Sequence, residues 1–124
     1  MSGTKLGGLI TEIATLKNDV RPETYVQTEA QIRNLMRGVP ACVRDDLALS
    51  AQRLADLSAL AQRNPKIRHK AQAAIRTLQE AQQPFAALNE TTGLMDLMDG
   101  CGNLDSALSD ANTLFLLSEL PEYR

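Results

Sequence analysis

His69 is the single histidine of the chain and stands inside the run Lys66-Ile67-Arg68-His69-Lys70. A catalytic histidine needs a nucleophile or an orienting acid within hydrogen-bond reach. Its sequence neighbours are cations and one isoleucine, so it reads as a surface residue. Cys42 and Cys101 lie far apart and lack the four clustered ligands of a zinc site. They read as small buried hydrophobes. The run Asp99-Gly100-Cys101-Gly102-Asn103-Leu104-Asp105 puts oxygen ligands at alternate positions, as a calcium loop does. Leu104, however, stands where the sharp turn of such a loop needs Gly, and Asp110 stands where a bidentate Glu is wanted. The run therefore reads as a helix break followed by a capping residue. Asp45-Asp46 falls in the first turns of a helix, where acids complement the positive end of the dipole. No phosphate-cradling, dinucleotide, nucleophile-elbow or zinc-protease spacing occurs. The expectation is a chain that is not an enzyme and carries no metal or cofactor.

Charge is more informative. From Ser58 to Gln79 there is no acid, while Arg63, Lys66, Arg68, Lys70 and Arg76 are all cationic. Lys66 and Lys70 would stand one helical turn apart with Ile67 facing away, a ridge able to contact phosphate or an acidic protein surface. Residues 1–79 hold twelve Lys and Arg against seven acids, a net +5. Residues 80–124 hold eight acids, Asp96, Asp99 and Asp105 among them, against Arg124 alone, a net −7. This segregation of sign predicts two unlike surfaces. The favoured expectation is a small helical protein–protein interaction or assembly module. In it the ridge Arg63, Lys66, Arg68, Lys70 and Arg76 meets the region of Asp96, Asp99 and Asp105 on another copy or partner. The alternative is a nucleic-acid-associated protein using the same ridge on phosphates. Against that stand a pI of about 5.3 and an aromatic content of only 3%, too few rings to stack bases.

These residues need elements to hold them. The stretch Pro40 to Leu88 predicts two long helices joined at Arg63-Asn64-Pro65. Ile67, Ala71, Ala74, Leu78, Ala81, Phe85 and Leu88 alternate spacings of four and three, one face of a helix. Val43, Leu47, Leu54, Leu57 and Ala61 repeat the pattern before the turn, with Ser50 in the one polar slot. Two such stripes close as an antiparallel hairpin. Since only Ser50 interrupts them, no small-molecule site between helices is expected. Ahead of the hairpin, a helix over Thr4–Asn18 presents Leu6, Leu9, Ile10, Ile13 and Leu16/Lys17. A second over Pro22–Arg37 presents Tyr25 or Val26, Ala30, Ile32 or Arg33, and Leu35-Met36. Gly38 ends it in the left-handed conformation. Pro84 either kinks the fourth helix or starts a fifth. Gly100-Cys101-Gly102 breaks the chain, and Asn103 or Asp105 caps a last helix to Glu119. Of the four methionines, at least two are expected in the core.

A shift of 43 residues lays Pro22 over Pro65, Ala30 over Ala73, and Ile32-Arg33-x-Leu35 over Ile75-Arg76-x-Leu78. Within the second copy, Asn64-Pro65-Lys66-Ile67-Arg68 followed by Ala71, Ala74-Ile75 and Leu78 resembles the inner helix of HEAT/armadillo-type repeats, over about a third of the chain. The resemblance implies a short array of stacked helix pairs. An array needs about three repeats, and the unit beyond Pro84 does not carry the pattern. The preferred expectation is therefore an all-α antiparallel bundle of five to six helices in a single domain, 1–124, built round the long hairpin. No signal-peptide pattern and no run long enough to span a bilayer occur, and the cysteines form no disulfide framework. A soluble cytoplasmic protein is expected, with no membrane partner.

Overall fold

The structure, a computed structural model, describes residues 3–124. It is a packed all-α bundle, with no strand among the described residues. The helices are α1 (Lys5–Asn18), α2 (Tyr25–Met36), α3 (Val39–Arg63), α4 (Arg68–Ala86) and α5 (Leu94–Leu117). Pro22–Thr24 makes a 3-10 turn before α2, and Pro121–Tyr123 makes another after α5. Counted from Pro22 through the bend at Arg37-Gly38 to Arg63, the 3-10 turn, α2 and α3 are one bent helix of 42 residues, and the described residues form four helices rather than five or six.

The hairpin lies where the spacing puts it. Ile67, Ala71, Ala74, Leu78, Ala81 and Phe85 are buried, and Leu88 is half-buried against them. Opposite stand Val43, Leu57, Leu60 and Ala61. Arg68 reaches Ala61 and Gln82 reaches Ser50, so residue numbers rise on one helix as they fall on the other: α3 and α4 are antiparallel. Ser50 is fully buried, and its hydroxyl accepts a hydrogen bond from Gln82 Nε2, which satisfies the polar slot. Pro84 lies inside α4, which continues to Ala86, so no new helix starts there.

Four expectations are corrected. Gly38 has φ −80°, a right-handed helical value, so it bends the chain without a left-handed stop. The inner side of α2 is Thr28, Ile32, Leu35 and Met36, whereas Tyr25, Val26, Ala30 and Arg33 are exposed. The reason is register: Thr28, Ile32, Leu35, Val39, Val43, Asp46 and Ser50 form one stripe running through the bend from α2 into α3. Gly100-Cys101-Gly102 is not a break, since α5 passes straight through it. Leu97, Cys101, Leu104, Leu108 and Ala111 hold a four-three stripe across both glycines and bury it, which offsets the weak propensity of Gly. A Cβ on Gly100 would lie 3.0 Å from Leu88 Cδ1, so this glycine lets α5 close on the chain leaving α4. Finally, Met95 and Met98 are exposed and Met36 alone of the described methionines packs on the core; Met1 lies outside the described residues.

Helix α1 is pinned to the hairpin by its N-terminus. Thr4 caps it, its Oγ1 accepting from Gly7 N–H at 3.2 Å. Asp46, 2% exposed, adds the next two bonds: its carboxylate accepts from Lys5 N–H at 2.8 Å and Leu6 N–H at 2.9 Å. Three of the four N–H groups a helix start leaves open are thereby satisfied, two of them from α3. Asp46 thus stabilises the dipole of α1 instead of that of its own helix.

Candidate interaction surface

The basic residues begin at the α3–α4 turn, and the structure divides them. Arg68 opens α4 and folds back over the end of α3, with Nε donating to Ala61 O at 2.7 Å and Nη2 to Gln62 O at 3.4 Å. These are carbonyls that a helix C-terminus leaves unpaired. Lys66 lies in the turn and not on the helix, so it and Lys70 do not share a helical face. Its Nζ donates to Arg124 O at 2.7 Å. Beside it, Asn64 Nδ2 donates to Tyr123 O at 2.7 Å, and the two bonds tie the last 3-10 turn to the tip of the hairpin. Arg63 borders the resulting shallow cleft with Pro65, Ser118 and Arg124. Lys70 and Arg76 are exposed on α4, as is His69.

The acids also divide. Asp96 and Asp99 are exposed near the start of α5. Asp105 turns inward: its Oδ2 accepts from Thr4 Oγ1 at 3.3 Å and lies 3.6 Å from Cys101 Sγ. Thr4 Oγ1 and Cys101 Sγ are 3.2 Å apart. Burial, together with the Asp105 charge, pushes the Cys101 thiol up to about 11, despite an opposing hydrogen bond from Thr4. At neutral pH the thiol is protonated and enclosed, which suits a structural group and not a nucleophile. Burial likewise raises Cys42, with the charges of Asp46 and Asp45 adding to it. Asp45 faces solvent, where the hydrogen bond and charge of Lys5, at 3.0 Å, hold it below the usual carboxylate range. The same contact raises Lys5. The pair is exposed, so salt screens it and it adds little to stability. Among the described residues no three His, Cys, Asp or Glu side chains converge as metal ligands do. No described helix is long and apolar enough to cross a membrane.

What the structure brings together, and hydrophobic spacing did not show, is the outer side of α5. Met95 and Leu116 are 72% and 73% exposed, and Met98 is about half exposed. Asp96, Asp99 and Asp110 stand exposed among them, and α5 contains no Lys or Arg. This face is apolar and acidic over its first two turns, Met95 to Asp99, and small and polar from Gly102 to Thr113, before Leu116. The sequence signal for it was a second four-three series, Met95, Asp99, Gly102, Ser106, Ser109, Thr113 and Leu116, interleaved with the buried one. All seven are exposed. No protein-family model, curated protein or solved structure matches the chain.

Proposed function

We propose that this protein is a non-enzymatic helical assembly module that self-associates through the outer face of α5, which docks on a cationic surface of a second copy. One observation carries the reading. Two large apolar side chains, Met95 and Met98, are exposed in the first two turns of α5 beside Asp96 and Asp99, on a helix with no cation. Exposed apolar groups rimmed by charge of one sign are what protein interfaces offer, the apolar part giving affinity and the charge giving orientation. Lys and Arg outnumber acids through the first two thirds of the chain, and Arg33, Arg37, Lys70 and Arg76 are exposed there to meet such a face. A contact between two unlike surfaces is heterologous and builds chains or rings. Of the five cations in the 63–76 ridge, Lys66 and Arg68 have their heads on carbonyl groups, which leaves Arg63, Lys70 and Arg76 to act outward. That thins the ridge available for phosphates.

The test is mass in solution by light scattering across protein and salt concentration. The wild-type chain should form a concentration-dependent oligomer that weakens as salt rises, because exposed charges are screened within about 8 Å at physiological ionic strength. Asp96→Lys/Asp99→Lys should weaken it at least tenfold. A wild-type monomer at every concentration overturns the reading, as does an oligomer indifferent to that substitution.

A further inference from the structure

Helix α2 is held from one side. Its inner line continues the stripe of α3, and its outermost line is Val26, Ala30, Arg33 and Arg37, spaced four, three and four. All four are exposed, Val26 at 74%. This line is apolar at its start and cationic at its end. On α5 the line Met95, Asp99, Gly102 and Ser106 is also spaced four, three and four, and also exposed.

Set antiparallel, the two lines coincide without a gap. Val26 then faces Ser106, Ala30 faces Gly102, Arg33 faces Asp99, and Arg37 faces Met95 with Asp96 beside it. Arg33 meets Asp99, Arg37 meets the flexible Met95 with Asp96 one position on, and Val26 and Ala30 meet the small Ser106 and Gly102. The parallel arrangement would set Arg33 against Gly102 and Val26 against Met95, pairing neither charge. Like the equally open Gly8 of α1, Gly102 leaves room for a crossing helix. It lies in a helix interior, where Gly is disfavoured against Ala, and a Cβ built on it meets nothing within 4 Å. The monomer therefore gives no packing reason for a glycine there, unlike Gly100, whose Cβ would press on Leu88. A helix laid across this point would give one, since a missing side chain lets two helix backbones approach closely.

We infer that α2 of one copy lies antiparallel across α5 of a second copy, with Arg33 and Arg37 on Asp99 and Asp96 and with Ala30 seated over Gly102. The inference rests on the proposal that α5 is the docking face, and it names what docks there. Each copy keeps one free α2 and one free α5, so assembly continues until a ring closes.

The experiment is sedimentation velocity on three preparations: Arg33→Glu/Arg37→Glu, Asp96→Lys/Asp99→Lys, and their equimolar mixture. Each variant alone presents like charges across the contact and should associate at least tenfold more weakly than wild type. In the mixture the reversed α2 meets the reversed α5, and the unreversed helices meet each other, so assembly should return. Gly102→Leu should also weaken association at least tenfold while leaving the helical circular dichroism signal intact. If the α5 reversal weakens assembly and the α2 reversal does not, this inference falls and the α5 docking face stands. Loss on Lys70→Glu/Arg76→Glu would then identify α4 as the partner surface. If neither reversal matters, both readings fall. Variants that each fail alone and stay monomeric when mixed also overturn the α2–α5 pairing.

Discussion

Replacing Asp46 tests how the bundle holds its first helix. The carboxylate is 2% exposed and accepts two backbone N–H groups, at 2.8 Å and 2.9 Å, from the first turn of α1. A hydrogen bond to a charged group contributes about 1.5–3 kcal/mol net, and a buried N–H left without a partner costs about 1–3 kcal/mol. Asp46→Ala removes both bonds and leaves the enclosed Leu6 N–H unpaired, while Lys5 N–H, nearer the surface, recovers water. The expected loss is about 3–5 kcal/mol, a large share of the roughly 5–15 kcal/mol that holds a domain together. Asp46→Asn keeps one accepting oxygen but turns an NH2 toward the other donor, so about 2 kcal/mol should go. Urea titration followed by circular dichroism reads both through the midpoint at constant slope. Hydrogen exchange should show α1 losing protection before α4, because the bonds removed belong to α1. An Asp46→Ala variant within about 1 kcal/mol of wild type would refute the reasoning, since the two bonds alone exceed that amount.

Further outcomes follow at Arg68, Lys70 and the two cysteines. Arg68→Ala strips a charged donor from two carbonyls at the end of α3 and should cost about 1 kcal/mol by the same titration. Lys70→Ala, exposed on the same helix, should stay within about 0.5 kcal/mol of wild type. Folding holds the Cys101 proton up to about 11 against a reference near 9.0, so this group's contribution to stability is complete below pH 9 and is lost as pH rises from 9 toward 11. Cys101→Ser should flatten that alkaline decline, and a thiol reagent at neutral pH should label half-buried Cys42 ahead of enclosed Cys101.

The hairpin was legible because burial on one side of a helix writes a 3.6-residue period into consecutive positions, and the run from Ile67 to Phe85 has no competing period. α2 was not legible for the opposite reason. Its Val26, Ala30 and Arg33 make as regular a line as Thr28, Ile32 and Leu35, and only the continuation of the second line into Val39 and Val43 says which side is buried. At Gly100-Cys101-Gly102 local propensity argued for a break, while the stripe through Leu97, Cys101 and Leu104 argued for a helix, and packing decided it. The capping role of Asp46 was out of reach: its partners lie about forty positions earlier, and a dipole argument within α3 explained the acid equally well. Asp105 illustrates the same limit at the candidate surface. Spacing groups it with Asp96 and Asp99, yet a buried Thr4 and Cys101 draw it inward.

The two glycines of α5 carry the link from packing to function. Both sit in a helix interior, where each costs about 1 kcal/mol relative to Ala. At Gly100 the monomer offsets that cost by closing on Leu88, whose Cδ1 stands where a Cβ would press at 3.0 Å. At Gly102 nothing in the monomer offsets it, since the position opens to solvent. The consequence is a difference in size between two neighbouring substitutions. Gly102→Ala should stabilise the monomer by up to about 1 kcal/mol, while Gly100→Ala must displace Leu88 and should return little or none of that gain. Gly8 of α1 is as open as Gly102, so the open position alone names no neighbour; what sets Gly102 apart is the exposed methionines and acids one and two turns before it. The stability of Gly102→Ala and the association of Gly102→Leu therefore report on separate halves of one argument: the first asks whether the monomer has any use for the glycine, and the second asks whether a partner does.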